Sequence, residues 1–135
     1  MLVLRKFKNE DIDKLSDMLK AEDIKVDIPK SNEMIYLSFS DEELMGAIKV
    51  KYDQDIWILD YLYIAENRRN EKIGDGLLRV MVDKLDKKKI KTLYFLGENK
   101  YLIKRGFEEN EDKILELDIE NFFKDTCSSC DNCEV

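Results

Sequence analysis

The sequence contains no histidine, which removes the commonest general base and the commonest metal ligand from any account of its chemistry. No apolar run approaches the ~20 residues that a membrane-spanning helix needs, so no membrane partner is expected. The N-terminus has no signal-peptide pattern: Arg5, Lys6 and Lys8 follow only four residues, and Asn9 to Asp13 is acidic. A soluble, cytoplasmic protein is the expectation. The formal charge of −7 argues against nucleic acid as a partner, because broad binding needs a basic face to displace counterions. Proline occurs once, as Pro29, and cysteine is confined to positions 127, 130 and 133.

What is present fits one domain. With 135 residues, 44% of them hydrophobic, the chain can bury most of its apolar surface. Leu2 to Phe7 reads as a short strand, and Asn9 as the cap of a helix with Ile12, Leu15, Met18 and Leu19 on one face. Asp23 to Asn32 reads as a loop. Met34 to Ser40 and Leu44 to Tyr52 predict a hairpin across the acidic turn Asp41-Glu42-Glu43, and Trp57 to Ile64 a further strand after Asp53-Gln54-Asp55. A helix from Gly74 to about Lys88 should bury Leu77, Leu78, Met81 and Leu85, with Lys87, Lys88 and Lys89 suiting its carboxyl end. Lys91 to Leu96 predicts a strand, Asn99 to Arg105 a short helix stopped by a left-handed Gly106, and Ile114 to Ile119 a last strand. The expectation is an α+β domain with a mixed sheet.

Strand, basic turn and amphipathic helix meet at Arg68-Arg69-Asn70-Glu71-Lys72-Ile73-Gly74. Such a turn gathers backbone N–H groups, a helix dipole and arginine charge, which suits a phosphorylated ligand. The connection to the next strand makes the two strands parallel. Neither a Rossmann fingerprint nor a P-loop is present.

Arg69-x-x-Lys72-x-Gly74, following Leu62-Tyr63-Ile64-Ala65-Glu66, resembles the acetyl-CoA signature Arg/Gln-x-x-Gly-x-Gly/Ala of the GNAT N-acetyltransferases. Leu93 to Leu96, Asn99 and Lys104-Arg105-Gly106-Phe107 resemble the family's second landmark. The resemblance covers roughly residues 1 to 119 and implies the GNAT fold, a mixed central sheet flanked by helices, with parallel strands splayed around the cofactor. It implies an acetyltransferase domain over residues 1–120 and a cysteine-bearing tail over 121–135. By the same resemblance, backbone groups of Leu62, Tyr63 and Ile64 would pair with the pantetheine arm. Amides of Arg69, Asn70, Glu71, Lys72, Ile73 and Gly74 would hold the pyrophosphate, and Asn99 would sit beside the arm. The implied activity is acetyl transfer from acetyl-CoA to an amine. The other reading is a catalytically weak CoA-binding module with a metal- or redox-responsive tail.

Two positions depart from the family pattern. Lys72 stands where the signature has its first glycine, which would restrict the approach of the backbone to phosphate if the dihedrals there need glycine. Leu102 stands where many relatives carry the tyrosine that protonates the departing thiolate. Tyr101 is adjacent, although one helical step turns its side chain by about 100°. Tyr101 is the candidate acid, against a packing role. Asp60 is the candidate base, the lone polar residue in Trp57 to Ile64, and apolar neighbours would raise its pKa. Its alternative is a structural aspartate paired with a lysine. Position 58, glutamate in several relatives, is isoleucine. Glu22, Asp23, Asp27 and Glu33 would give the acceptor site an acidic lining suited to a cationic small-molecule or peptide amine.

The tail places Cys127, Cys130 and Cys133 at a three-residue step, a spacing that lets thiolates converge on zinc or another soft metal. A fourth ligand would come from Asp131, Glu134 or a second chain, the last making a homodimer. A redox pair or a metal-free tail are the alternatives.

Overall fold

A computed structural model describes residues 2–65 and 71–122 of the chain. Seven strands form one sheet in the order β1-β2-β3-β4-β5-β7-β6. The first four, β1 (Leu2–Lys6), β2 (Glu33–Ser40), β3 (Glu43–Asp53) and β4 (Ile56–Ile64), are an antiparallel meander. Helix α2 (Glu71–Lys87) then carries the chain to β5 (Thr92–Phe95), which runs parallel to β4. Helix α3 (Lys100–Lys104), β6 (Glu108–Glu109) and β7 (Leu115–Asp118) complete the sheet, with β7 antiparallel to β5. The expected mixed sheet flanked by helices is the one formed.

Apolar residues on both sides of the sheet explain its two cores. Leu77, Leu78, Met81 and Leu85 of α2 pack with Met34, Tyr36, Met45, Ile48, Leu59 and Leu93. On the other face Leu15 and Leu19 of α1 (Ile12–Leu19) pack with Ile35, Leu37, Phe39 and Ala47. The middle of β2 is therefore buried on both faces, which is why it reads as a nearly continuous apolar run rather than an alternating one.

Three local expectations are corrected. Asn9 does not cap α1; it opens a short 3-10 turn, Asn9–Asp11. Asp11 does the polar work there, because its carboxylate accepts the Lys8 backbone N–H at 2.8 Å and the Arg5 guanidinium at 2.7 and 2.8 Å. Helix α2 begins at Glu71, not Gly74, so Gly74 is a helical residue of the first turn. The two-residue strand β6 was not anticipated, being too short to carry a hydrophobic period.

Both hairpins close in two residues. Asp41 and Glu42 join β2 to β3 with φ of 50° and 71°, and Gln54 and Asp55 join β3 to β4 with φ of 50° and 68°. Positive φ at both central residues matches the strand twist, although asparagine–glycine is the usual solution. Gly106, at φ 114°, ends α3 in the left-handed region as expected.

Candidate active site

The site begins where two parallel strands part. β4 and β5 pair only at Trp57–Leu93 and Ile58–Tyr94, yet β4 continues to Ile64. Just past the last pair, Lys49 and Val50 of β3 oppose Tyr61 and Leu59, leaving Asp60 as an extra residue in a bulge. The bulge reverses the phase of the strand. Trp57 and Leu59 pack on the α2 side before it, and Leu62 and Ile64 do so after it, while Tyr61 and Tyr63 turn to the α1 side. A bend and a changed face together drive β4 away from β5, opening a fork toward its carboxyl end.

Helix α2 starts beside that fork. Ala65 follows β4 and donates its N–H to Met45 O at 2.7 Å. The close seat of α2 depends on Gly46 of β3, where an added Cβ would lie 2.8 Å from Ile64 Cδ1, 2.9 Å from Tyr63 O and 3.1 Å from Leu77 Cδ1. Strand, helix and glycine fix the positive end of the α2 dipole next to Leu62, Tyr63 and Ile64. Lys72 is exposed in the first turn and, being helical, sits in a conformation that needs no glycine. Ile73 is buried in the core, so only its backbone is available to a ligand. Arg69 and Asn70 lie outside the described residues, as does the side chain of Glu71.

The third wall is α3. Asn99 caps it, its side-chain oxygen accepting the Leu102 N–H at 3.0 Å. Leu102, where the family resemblance implies a tyrosine in many relatives, is 1% exposed and belongs to the core. Tyr101 is half-buried against α2, its hydroxyl 3.1 Å from where a Cβ on Gly74 would stand. That hydroxyl donates to Asp75 Oδ1 at 2.5 Å. Arg105 Nε lies 2.7 Å from the same oxygen, as a charge contact rather than an aligned hydrogen bond, and its guanidinium stacks 5.3 Å above the Tyr101 ring. Burial, reinforced by the Asp75 hydrogen bond, pushes the Tyr101 phenol well above its ordinary value, making it a weaker acid.

Asp60 does not have the apolar surroundings expected of it. Its exposed carboxylate faces Lys49 Nζ at 3.4 Å and Lys51 Nζ at 4.0 Å, because the bulge turns it away from the core. Lys49 also reaches Glu33 Oε2 at 3.4 Å, and Glu33 accepts the Lys30 N–H at 3.0 Å. Glu33, expected as part of an acidic acceptor lining, is thus already matched by cation and amide. Tyr61 stands beside this group, its phenol pushed up by burial and by the charges of Asp60 and Glu33.

The bulge and the Asp75–Tyr101–Arg105 cluster were missed in the sequence. An apolar run from Trp57 to Ile64, broken only by Asp60, is the only signal that could have marked the bulge. Cys127, Cys130 and Cys133 lie outside the described residues, and among the described residues no group of three or more cysteine, aspartate or glutamate side chains is placed to hold a metal ion. No helix among them is long and apolar enough to cross a membrane.

A family model described as the acetyltransferase (GNAT) family matches residues 4–107. No curated protein matches the sequence. Among solved structures, the chain is similar to the PaiA N-acetyltransferase of Thermoplasma acidophilum in complex with coenzyme A, with TM-score 0.67 and 18% identity over 87% of this chain and 99% of that one. It is similar to the ribosomal-protein-S18-alanine N-acetyltransferase of Escherichia coli, with TM-score 0.71 and 14% identity over 88% and 94%. An aminoglycoside 6′-acetyltransferase type Ii gives TM-score 0.69 and 18% identity over 87% and 97%. At these identities the likeness establishes the fold.

Proposed function

This chain belongs to the acetyltransferase (GNAT) family, and from that premise we propose that it transfers the acetyl group of acetyl-CoA to the amine of a small molecule or peptide. The observation that carries the reading is the fork between β4 and β5 opening beside the first turn of α2. An extended arm can lie along Leu62 to Ile64 as a surrogate strand, while its pyrophosphate would meet the amides of the first turn of α2 and, as the family resemblance implies, those of Arg69 and Asn70 before it. Asn99, whose side-chain oxygen is engaged in capping, would offer the arm its amide group. Acetyl-CoA itself supplies an activated acyl carbonyl. The chain then has to hold an amine against that carbonyl, and orientation alone accounts for much of the acceleration.

Within this reading Asp60 is the residue that receives the acceptor. It stands at the apex of the fork, close after the last β4–β5 pair, held from one side by Lys49 and Lys51. Its carboxylate attracts an ammonium and, through water, accepts the proton that must leave before the amine attacks. Tyr101 is assigned a positioning role, because its proton is committed to Asp75 and its phenol is a poor acid. The same two facts, with Leu102 in the core, favour the second reading, a module that binds CoA and turns over slowly or not at all.

A thiol-release assay with acetyl-CoA and a panel of amines separates the readings. Coenzyme A at about a hundred times its Kd should stabilise the fold by about 2.7 kcal/mol, and at least one amine should release thiol. Stabilisation without release on any amine selects the binding module. Absence of stabilisation removes both. For Asp60→Asn we expect kcat/KM for the amine to fall by about tenfold or more, with CoA affinity unchanged. An unaltered kcat/KM would return Asp60 to a purely structural role.

A further inference from the structure

At the carboxyl end of α2, the end of β1, the loop before β2 and the last helical turns enclose a groove of about 610 Å³. Helix α2 has 17 residues, so this groove lies about 24 Å along the helix from the proposed pyrophosphate position. It is a separate place with its own chemistry. Five lysines border it: Lys6, Lys30, Lys84, Lys87 and Lys88. In a chain of net charge −7 that is a local inversion of sign.

Little inside the protein answers these charges. Lys87 is paired with Asp83 at 3.1 Å. Lys6, Lys30, Lys84 and Lys88 have no carboxylate within ion-pair distance among the described residues. Glu33 also lines the groove, but it is taken by Lys49 and by the Lys30 amide. The carbonyl end of α2 contributes roughly half a negative charge, which offsets less than one lysine. Like charges gathered around a concavity give it a positive local field that favours an anionic ligand.

The floor supplies a second indication. Tyr36 is only 8% exposed, lines the groove, and its hydroxyl has no hydrogen-bond partner among the described residues. Burial, with the nearby Asp83 charge, pushes its phenol upward, and a phenol is in any case protonated, and so a donor, at neutral pH. Phe7 and Pro29 add apolar wall. A concave, partly apolar site of this volume with a few convergent donors is the size of a small-molecule pocket.

We propose that this groove binds a compact polyanion, a small molecule bearing a diphosphate or triphosphate, through Lys30, Lys84, Lys88 and the Tyr36 hydroxyl. A long polyanion does not suit it. A chain of net charge −7 repels an extended polyanion along most of its length, whereas a compact ligand needs only the lysines of the groove.

The test is isothermal titration of the full chain with inorganic tripolyphosphate, with coenzyme A present only in slight molar excess, enough to fill the proposed cofactor site but not the groove. We expect saturable one-to-one binding, tighter than that of orthophosphate. Lys84→Ala/Lys88→Ala should weaken it about tenfold or more, with Lys84→Arg/Lys88→Arg restoring it. Tyr36→Phe should weaken it about threefold, and every variant should keep its melting temperature and CoA affinity. The proposal is overturned by heats that do not saturate, by equal binding to the wild type and the double alanine variant, or by an acidic peptide binding where tripolyphosphate does not.

Discussion

The Tyr101 hydroxyl donates to Asp75 Oδ1 at 2.5 Å, tying α3 to the opening turns of α2. A phenol so engaged braces the helix start and is a poor proton donor to a departing thiolate. Tyr101→Phe should therefore cost about 1.5 kcal/mol of stability, the low end for a hydrogen bond to a charged group because Asp75 is partly exposed, and leave kcat within about threefold. A loss of about a hundredfold would make Tyr101 the acid instead. Asp75→Asn removes the negative neighbour that helps to raise the phenol, so Tyr101 should titrate at lower pH in the variant. Absorbance titration against Tyr101→Phe isolates that one tyrosine.

Glycines 46 and 74 should respond unequally to alanine. At Gly46 the new Cβ would lie 2.9 Å from the backbone carbonyl of Tyr63, which moves only if β4 moves. Overpacking of that kind costs about 1–3 kcal/mol, and CoA affinity should fall with it because the fork strand shifts. At Gly74 the nearest atom is the Tyr101 hydroxyl at 3.1 Å, the end of a side chain. Alanine there gains about 1 kcal/mol of helix propensity, so the two effects nearly cancel. Thermal melts of both variants check the contrast.

Asp11 should make the fold acid-sensitive. It is 3% exposed and bound by Arg5 and by the Lys8 amide, and the Arg5 hydrogen bond holds its carboxyl below the usual carboxylate range. A depressed folded value means that the stabilisation is fully present above the unfolded value, roughly pH 4, and is lost as pH falls through the folded one. Asp11→Asn should cost about 2 kcal/mol at pH 7, the partial exposure of Arg5 keeping it below the full penalty of a buried pair. Below pH 4 that difference should shrink. Denaturant midpoints measured from pH 7 to pH 2 would show it, and a pH-independent difference would contradict it.

Lys72→Gly restores the residue that the family signature has at this position. Lys72 is already helical, so glycine relieves no strain and instead loosens the first turn of α2. We expect a loss of about 0.5–1 kcal/mol in stability, with CoA affinity unchanged or weaker. A gain of tenfold or more in CoA affinity would show that the lysine side chain obstructs the phosphates.

The elements were largely readable because their signals are local. Leu77, Leu78, Met81 and Leu85 repeat at helical spacing, and all four are buried in α2. Gly106 stops α3 because the left-handed turn is a property of the residue itself. Asn9 misled for the complementary reason. Its capping competence is local, but Asp11 had the better partner in Arg5, which comes from β1. Glu108 and Glu109 became a strand only because β7 lies beside them.

The site divides along the same line. The sequence by itself determined the family and the meander followed by a strand–helix–strand crossover, since each rests on residue type and spacing. Only the tertiary structure decided that β4 parts from β5 after Ile58, that Asp60 bulges toward Lys49 and Lys51, and that Tyr101 spends its proton on Asp75. Those facts depend on which side chains meet across separate strands and helices, and no periodicity along one chain encodes a contact between residues 26 positions apart.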